Sequence, residues 1–150
     1  MRVGLIGGGV IARLFLEQSR RGAISDAEVV AVMGRTDLSR GKPLAQEFGI
    51  AFVTERDKLI ASRPDIVIEA ASHAAVREHV EELLSKGIAV VVLSAGALVD
   101  DHLRERLERA RGQDHAQPPR ASRRWPRGQE PDEVAEATQH WLAMARRAVL

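Results

Sequence analysis

The chain has 150 residues, 45% of them hydrophobic. That is enough for one domain with a real core, since a chain of this size buries roughly 68–70% of its unfolded surface, and too little for two full-sized domains. Lys plus Arg is 22 against 21 for Asp plus Glu, a formal net charge of +1, so no broad field exists to draw in nucleic acid or an anionic membrane, and neither is expected as a partner. The absence of Cys excludes a disulfide framework, a thiolate zinc site and a cysteine nucleophile; the His residues are scattered rather than spaced as ligands, so no metal site is expected.

The opening MRVGLIGGGV lacks the basic flank, long apolar stretch and cleavage site of a signal peptide, and no apolar run approaches the roughly 20 residues that span a bilayer. The expectation is a soluble, cytoplasmic protein. From the first residue to about Arg111, short β-branched runs alternate with longer amphipathic stretches. That alternation predicts an α/β fold, a Rossmann-like doubly wound parallel sheet of about five strands. The first strand is Arg2 to Ile6, apolar enough to be buried on both faces. A helix from Val10 to Arg21 follows, with Ile11, Leu14, Phe15 and Gln18 at helical spacing and Gly22 as a left-handed cap. Glu28 to Met33 has no polar face and is expected beside the first strand.

A short helix is expected from Pro43, suited to the first helical position, to Phe48, with Gly49 ending it and Ile50 to Val53 forming a third strand. Asp57 to Ala61 predicts a helical turn, and Asp65 to Ala70 a fourth strand. Ser72 or His73 then caps a helix reaching about Lys86, with Val76, Val80, Leu83 and Leu84 as its stripe and Gly87 as its stop. The fifth strand is Ala89 to Leu93, and Asp100 caps a helix through Arg111 in which Leu103 and Leu107 repeat at i, i+4. After Gly112 the composition changes: GQDHAQPPRASRRWPRGQEP has no apolar period and reads as a disordered linker over 112–131. Helical spacing returns in 132–150 through Val134, Ala137, Trp141, Met144 and Ala148, predicting a terminal amphipathic helix. Residues 1–111 are thus expected to form the one compact domain.

Gly7, Gly9 and Ala12 make G-x-G-x-x-A directly between the first strand and the first helix. Gly7 permits the tight turn, Gly9 lets a pyrophosphate approach the backbone, and Ala12 lets the helix pack closely on the strand. The orphan amides at the helix start, with its positive dipole end, then hold the phosphates. Gly7, Gly8, Gly9, Val10, Ile11 and Ala12 are therefore candidate cofactor-binding residues, the alternative being a turn that only reverses the chain. The second strand is expected to end at the adenosine ribose. Arg35 and Thr36 stand there with no carboxylate at the strand terminus, which favours NADP alongside NAD; Arg35 stacks on adenine when the phosphate is absent. A solvated loop arginine is the plain alternative, and Asp37 is close enough to favour NAD instead. Ala71, Ser72 and His73 after the fourth strand and Ser94 after the fifth leave the carboxyl edge, where open α/β sheets bind ligands. They are candidates for the nicotinamide ribose, with Ser72 as a mere N-cap the competing reading. Glu69, at the end of a buried strand, needs donors and is expected to brace the loop rather than do chemistry.

Taken in order, MRVGLIGGGVIA, VVAVMGRT, PDIVIEAASHAAVREH and VVVLSAGAL resemble the amino-terminal half of L-aspartate dehydrogenases over residues 1–111. Inositol and sugar dehydrogenases of similar architecture usually follow the fifth strand with Glu-Lys-Pro; here Leu93, Ser94 and Ala95 stand instead. The resemblance implies an NAD(P)-dependent oxidoreductase that converts aspartate to iminoaspartate, linked to NAD biosynthesis. It also implies a second domain carrying the substrate pocket and an acid/base histidine. No segment after Arg111 resembles that domain, and His115 and His140 match no motif, so no catalytic residue is assigned. Half a site cannot fix a substrate at near-attack distance. The Arg- and Pro-rich break after Arg111 suggests a truncated or frame-shifted form of a longer gene, and a genuine short variant is equally compatible. An amino-acid substrate is then expected only if the missing domain is supplied. The reading from a different class is a stand-alone dinucleotide-binding or interaction module, its terminal helix covering the sheet face or a homodimer seam.

Overall fold

In the computed structural model, residues 1–24 and 27–112 are described. Five strands, β1 (Arg2–Ile6), β2 (Glu28–Met33), β3 (Ala51–Val53), β4 (Ile66–Glu69) and β5 (Ala89–Val92), form one parallel sheet in the order β3-β2-β1-β4-β5. This is the doubly wound Rossmann-like architecture the alternation predicts, with β2 beside β1. The linker expected over 112–131 and the helix expected over 132–150 lie outside the described residues, Gly112 excepted. No helix among the described residues is long and apolar enough to cross a membrane.

Strand side chains alternate between two cores. On one face Val3, Leu5 and Val32 pack with Ala12 and Leu16 of α1 (Val10–Arg20) and with Leu44 and Ala45 of α2 (Gly41–Phe48). On the other, Ile6, Ala31, Met33, Val67, Val90 and Val92 meet Leu59 of α3 (Arg56–Ala61), then Val76, Val80, Leu83 and Leu84. Those four lie on α4 (His73–Ala75), a π turn (Val76–Val80) and α5 (Glu81–Ser85), run end to end. Leu103, Leu107 and Ala110 of α6 (Asp101–Gly112) complete this core. The register slips at β1, where Val3 pairs with Val29 but Gly4 with Ala31. That irregularity lets Val29 and Val32, three apart, both reach the α1/α2 side.

Three local expectations need correction. The buried stripe of α1 is Ala12, Leu16 and Gln18 rather than Ile11, Leu14, Phe15 and Gln18; Ile11 and Leu14 are exposed. The helix α2 begins at Gly41, not Pro43; Pro43 is accommodated in the first turn, whose amides need no intrahelical acceptor. The helix after β4 is not α-helical throughout, because the π turn interrupts it, and a short 3-10 helix over Ala95–Val99 precedes α6. The caps stand as expected: the Asp100 carboxylate accepts from the Leu103 amide at 3.1 Å, and Gly22 follows the end of α1 at φ +77°.

Candidate functional site

All five strands are parallel, so their carboxyl ends share one edge. Met33, Ile6, Glu69 and Val92 form a single row across β2, β1, β4 and β5. The strand order reverses direction between β1 and β4, the switch point where such sheets open a crevice for ligand. The turn leaving β1 at that point contains Gly7, Gly8 and Gly9. The amide of Gly7 donates to the Met33 carbonyl at 2.8 Å, tying this turn to the top of β2. Gly7 has φ +104°, and a Cβ there would stand 2.7 Å from the Ala70 carbonyl oxygen, so only glycine fits between β1 and the exit of β4.

A side chain at Gly8 would overlap the Cα and N of Gly41. Gly8 is therefore the place where the turn and the start of α2 meet backbone to backbone, a constraint that the glycine spacing alone does not reveal. Gly9 is different: a Cβ there would meet nothing within 4 Å. Gly9 is also the N-cap of α1, no side chain caps that end, and no acidic residue lies in its first turn. The free amides of the first turn thus front open space at the positive end of an 11-residue helix. Val10 and Ile11 are 75% and 43% exposed, whereas Ala12 is buried against the sheet. A fork of Arg13 Nη1 and Nη2 to the two Glu47 oxygens, at 2.9 and 2.7 Å, ties α1 to α2. That hydrogen-bonded partner holds the Glu47 carboxyl below its usual range, against some opposing desolvation.

At the end of β2, Gly34 is packed against Ser39 and the Phe52 ring. Arg35, Thr36 and Asp37 follow, all exposed. The Thr36 amide donates to Ser39 Oγ at 3.0 Å and the Ser39 amide to the Thr36 carbonyl at 2.9 Å, which fixes this loop. Asp37 is engaged: Lys42 Nζ donates to its Oδ1 at 2.9 Å. Among the described residues the Arg35 guanidinium has no hydrogen-bond or ion-pair partner. Arg40, the N-cap of α2 beside Gly8, is exposed and among the described residues has no such partner either.

On the other side of β1, Glu69 is completely buried. Its Oε1 accepts from the Ala71 amide (2.8 Å), the Ser72 amide (2.9 Å) and Ser94 Oγ (3.0 Å), and its Oε2 from the Ser94 amide (3.1 Å). The donors that a carboxylate in this position requires are thus all present, drawn from the loops after β4 and β5. Ser72 is the N-cap of α4, its Oγ accepting from the Ala75 amide at 3.2 Å. The ring of His73 lies over Gly96, where a Cβ would approach His73 Nε2 to 2.6 Å. The structure brings Gly7 through Ala12 together with Ala71, Ser72, His73 and Ser94 around β1, β4 and β5, and sets Arg35 and Thr36 apart beyond β1 at the end of β2. No group of three or more His, Asp or Glu side chains suited to a metal ion occurs among the described residues.

This geometry has counterparts. Residues 3–117 match the family model described as the NAD-binding domain of homoserine dehydrogenase. L-Aspartate dehydrogenase of Methanothermobacter thermautotrophicus is 41% identical over 111 residues, covering 71% of this chain and 40% of its own length. The corresponding enzyme of Methanococcus maripaludis is 33% identical over 103 residues, covering 69% and 38%. L-Aspartate dehydrogenase 2 of Bordetella pertussis is 36% identical over 107, covering 71% and 39%. The chain therefore spans about two fifths of the length of the curated relatives it matches. Among solved structures, a homoserine dehydrogenase from Thiobacillus denitrificans superposes with a TM-score of 0.59 at 22% identity, over 73% of this chain and 27% of that one. Biliverdin reductase from Synechocystis, solved with biliverdin and NADP+, gives 0.55 at 23%, over 73% and 35%. At these identities the likeness concerns the fold.

Proposed function

Because the chain belongs to the family of homoserine dehydrogenase NAD-binding domains, with NAD or NADP as its cofactor, we propose that residues 1–111 are the dinucleotide-binding half of an L-aspartate-dehydrogenase-like oxidoreductase. A cytoplasmic setting and a place in NAD biosynthesis are parts of this reading. The observation that carries it is the open space before Gly9 and the uncapped first turn of α1, at the switch point of the sheet. Gly9, Val10, Ile11 and Ala12 would hold the pyrophosphate through backbone amides, Gly7 and Gly8 shaping the turn that presents them. Arg35 and Thr36 would hold the adenosine ribose, and Ala71, Ser72, His73 and Ser94 the nicotinamide ribose. When bound, the nicotinamide ring supplies the carbon that exchanges a hydride with substrate. What these residues do is bind and orient; no proton transfer is assigned to any of them.

The decisive measurement is titration calorimetry of NADH and NADPH with the 150-residue chain. Wild type is expected to bind. Gly9→Val is expected to lose binding while keeping its fold by circular dichroism, because the branched side chain fills the space a pyrophosphate would take beside the amides. Unchanged affinity in a folded variant would mean that the turn is purely structural. A non-catalytic dinucleotide-binding module is the second reading, favoured by the match covering only 38–40% of the matched L-aspartate dehydrogenases' length. Nicotinamide absorbance recorded with aspartate and NAD(P) separates the two: turnover above the buffer rate supports the oxidoreductase, and none rejects it for this chain.

A further inference from the structure

The carboxylate of Glu69 stands in a row otherwise composed of Met33, Ile6 and Val92. If the position only had to fill the core, an apolar side chain would serve as it does in the rest of the row, at none of the cost of desolvating a charge. Among the described residues no cation pairs with Glu69. Its four contacts are all N–H or O–H donors, and they come from two separate loops, Ala71 and Ser72 on one side and Ser94 on the other, 25 residues away in sequence. The two side-chain oxygens are the acceptors in all four bonds, three at Oε1 and one at Oε2. The backbone continues the link, since the Leu93 amide donates to the Glu69 carbonyl at 3.0 Å. The His73 ring over Gly96 is a second point where the same two loops touch.

We propose that Glu69 is a positioning residue for the nicotinamide half of the cofactor site: its carboxylate clamps the loops after β4 and β5 in one relative placement. This rests on the reading that the carboxyl edge binds a dinucleotide. It also makes a division within that site. The adenosine half depends on the glycine turn and the end of β2, which lies across β1 from β4 and shares no hydrogen bond with the Glu69 side chain. Damage to the clamp should therefore be felt at one end of the ligand only.

Glu69→Gln tests the division with little change of shape. With the amide oxygen kept at the Oε1 position, the three bonds there survive, but the NH2 group then faces the Ser94 amide, donor against donor. The strap to the β5 loop breaks. Dissociation constants of NADH, NADPH and ADP are measured for the full chain, with the emission of bound NADH recorded alongside. Glu69→Gln is expected to weaken NADH and NADPH by about tenfold or more, the scale of a lost hydrogen bond to a charged group, to alter the emission of bound NADH, and to leave ADP affinity within about threefold. A loss shared equally by NADH and ADP, or no loss in either, overturns the proposal. Wild type failing to bind any of the three would instead sink the dinucleotide reading itself, which keeps the two failures distinct. Should Glu69→Gln not fold, Glu69→Asp decides: it keeps the carboxylate but draws it back by one methylene from the Ala71, Ser72 and Ser94 donors, and is expected to weaken NADH but not ADP, whereas unchanged affinity for NADH, or an equal loss for both, overturns the clamp.

Discussion

Three consecutive glycines, Gly7, Gly8 and Gly9, answer to three different constraints: a positive φ against the β4 exit, a backbone contact with Gly41, and open space before a helix end. The spacing of Gly7, Gly9 and Ala12 makes the first and third legible in sequence, because both are local to the turn. The second is not, since Gly41 is brought there by the placement of α2 and leaves no mark within the motif. The same limit applies at the end of β2. Arg35 is readable as a candidate, but the engagement of Asp37 by Lys42 at 2.9 Å depends on where α2 begins, which Pro43 misleads. With Asp37 held by a cation and Arg35 without a partner among the described residues, Arg35→Ala is expected to weaken NADP by roughly ten- to a hundredfold, the equivalent of a charge-assisted contact of about 1.5–3 kcal/mol. NAD should lose less. Dissociation constants of both cofactors for wild type and variant check this; an equal loss would assign Arg35 to adenine stacking and withdraw the 2′-phosphate role.

The elements themselves follow from patterns that need no tertiary information. Each strand is a mainly apolar run, and each of the five lies within a residue or two of its expected span. The helix from His73 to Ser85 shows where that reasoning stops. Val76, Val80, Leu83 and Leu84 keep an α-helical rhythm, yet Val76–Val80 forms a π turn. Arg56, on α3, donates from Nη1 to the Glu78 carbonyl at 3.0 Å and pairs with Glu82, contacts over more than twenty residues that periodicity does not register. His79 lies on the same turn, and its Nδ1 is buried with no hydrogen-bond partner among the described residues. Burial pushes the His79 imidazole below the ordinary value of 6.5; Glu78 opposes this and Arg56 adds to it. The unfolded chain, with the higher value, takes the proton first, so this contribution to stability is intact above pH 6.5 and is lost as pH falls from there through the folded value. Denaturant midpoints between pH 7.5 and 5 should drop less for His79→Gln than for wild type. Parallel curves would show that the imidazole takes up its proton over the same pH range in both states.

At the scale of the whole molecule, the sheet divides the interior into two cores that share no side chain. Val32 of β2 packs on the α1/α2 side and Val80 of the π turn on the α3/α5/α6 side, and both are fully buried. The backbone of five parallel strands lies between the two, and sheet and helix layers are stacked roughly 10 Å apart. Truncating either valine removes two methyl groups and leaves a small cavity, a cost of about 1.5–3 kcal/mol each. The consequence of the layering is additivity. Sites this far apart with no shared partner couple by no more than about 0.5 kcal/mol, so the double variant Val32→Ala/Val80→Ala should lose the sum of the single losses in a urea-unfolding cycle. The proposed site lies on the common edge of both layers, at Gly7 to Ala12 on the α1 side and at Ala71 to Ser94 on the other. Independent cores would therefore leave the dinucleotide itself as the element that links them, and NADH present at a hundred times its dissociation constant should raise the stability of all three variants alike, by about 2.7 kcal/mol. A coupling above 1 kcal/mol without ligand would show instead that the strands transmit strain from one core to the other, and that the two halves of the site are already joined through the sheet.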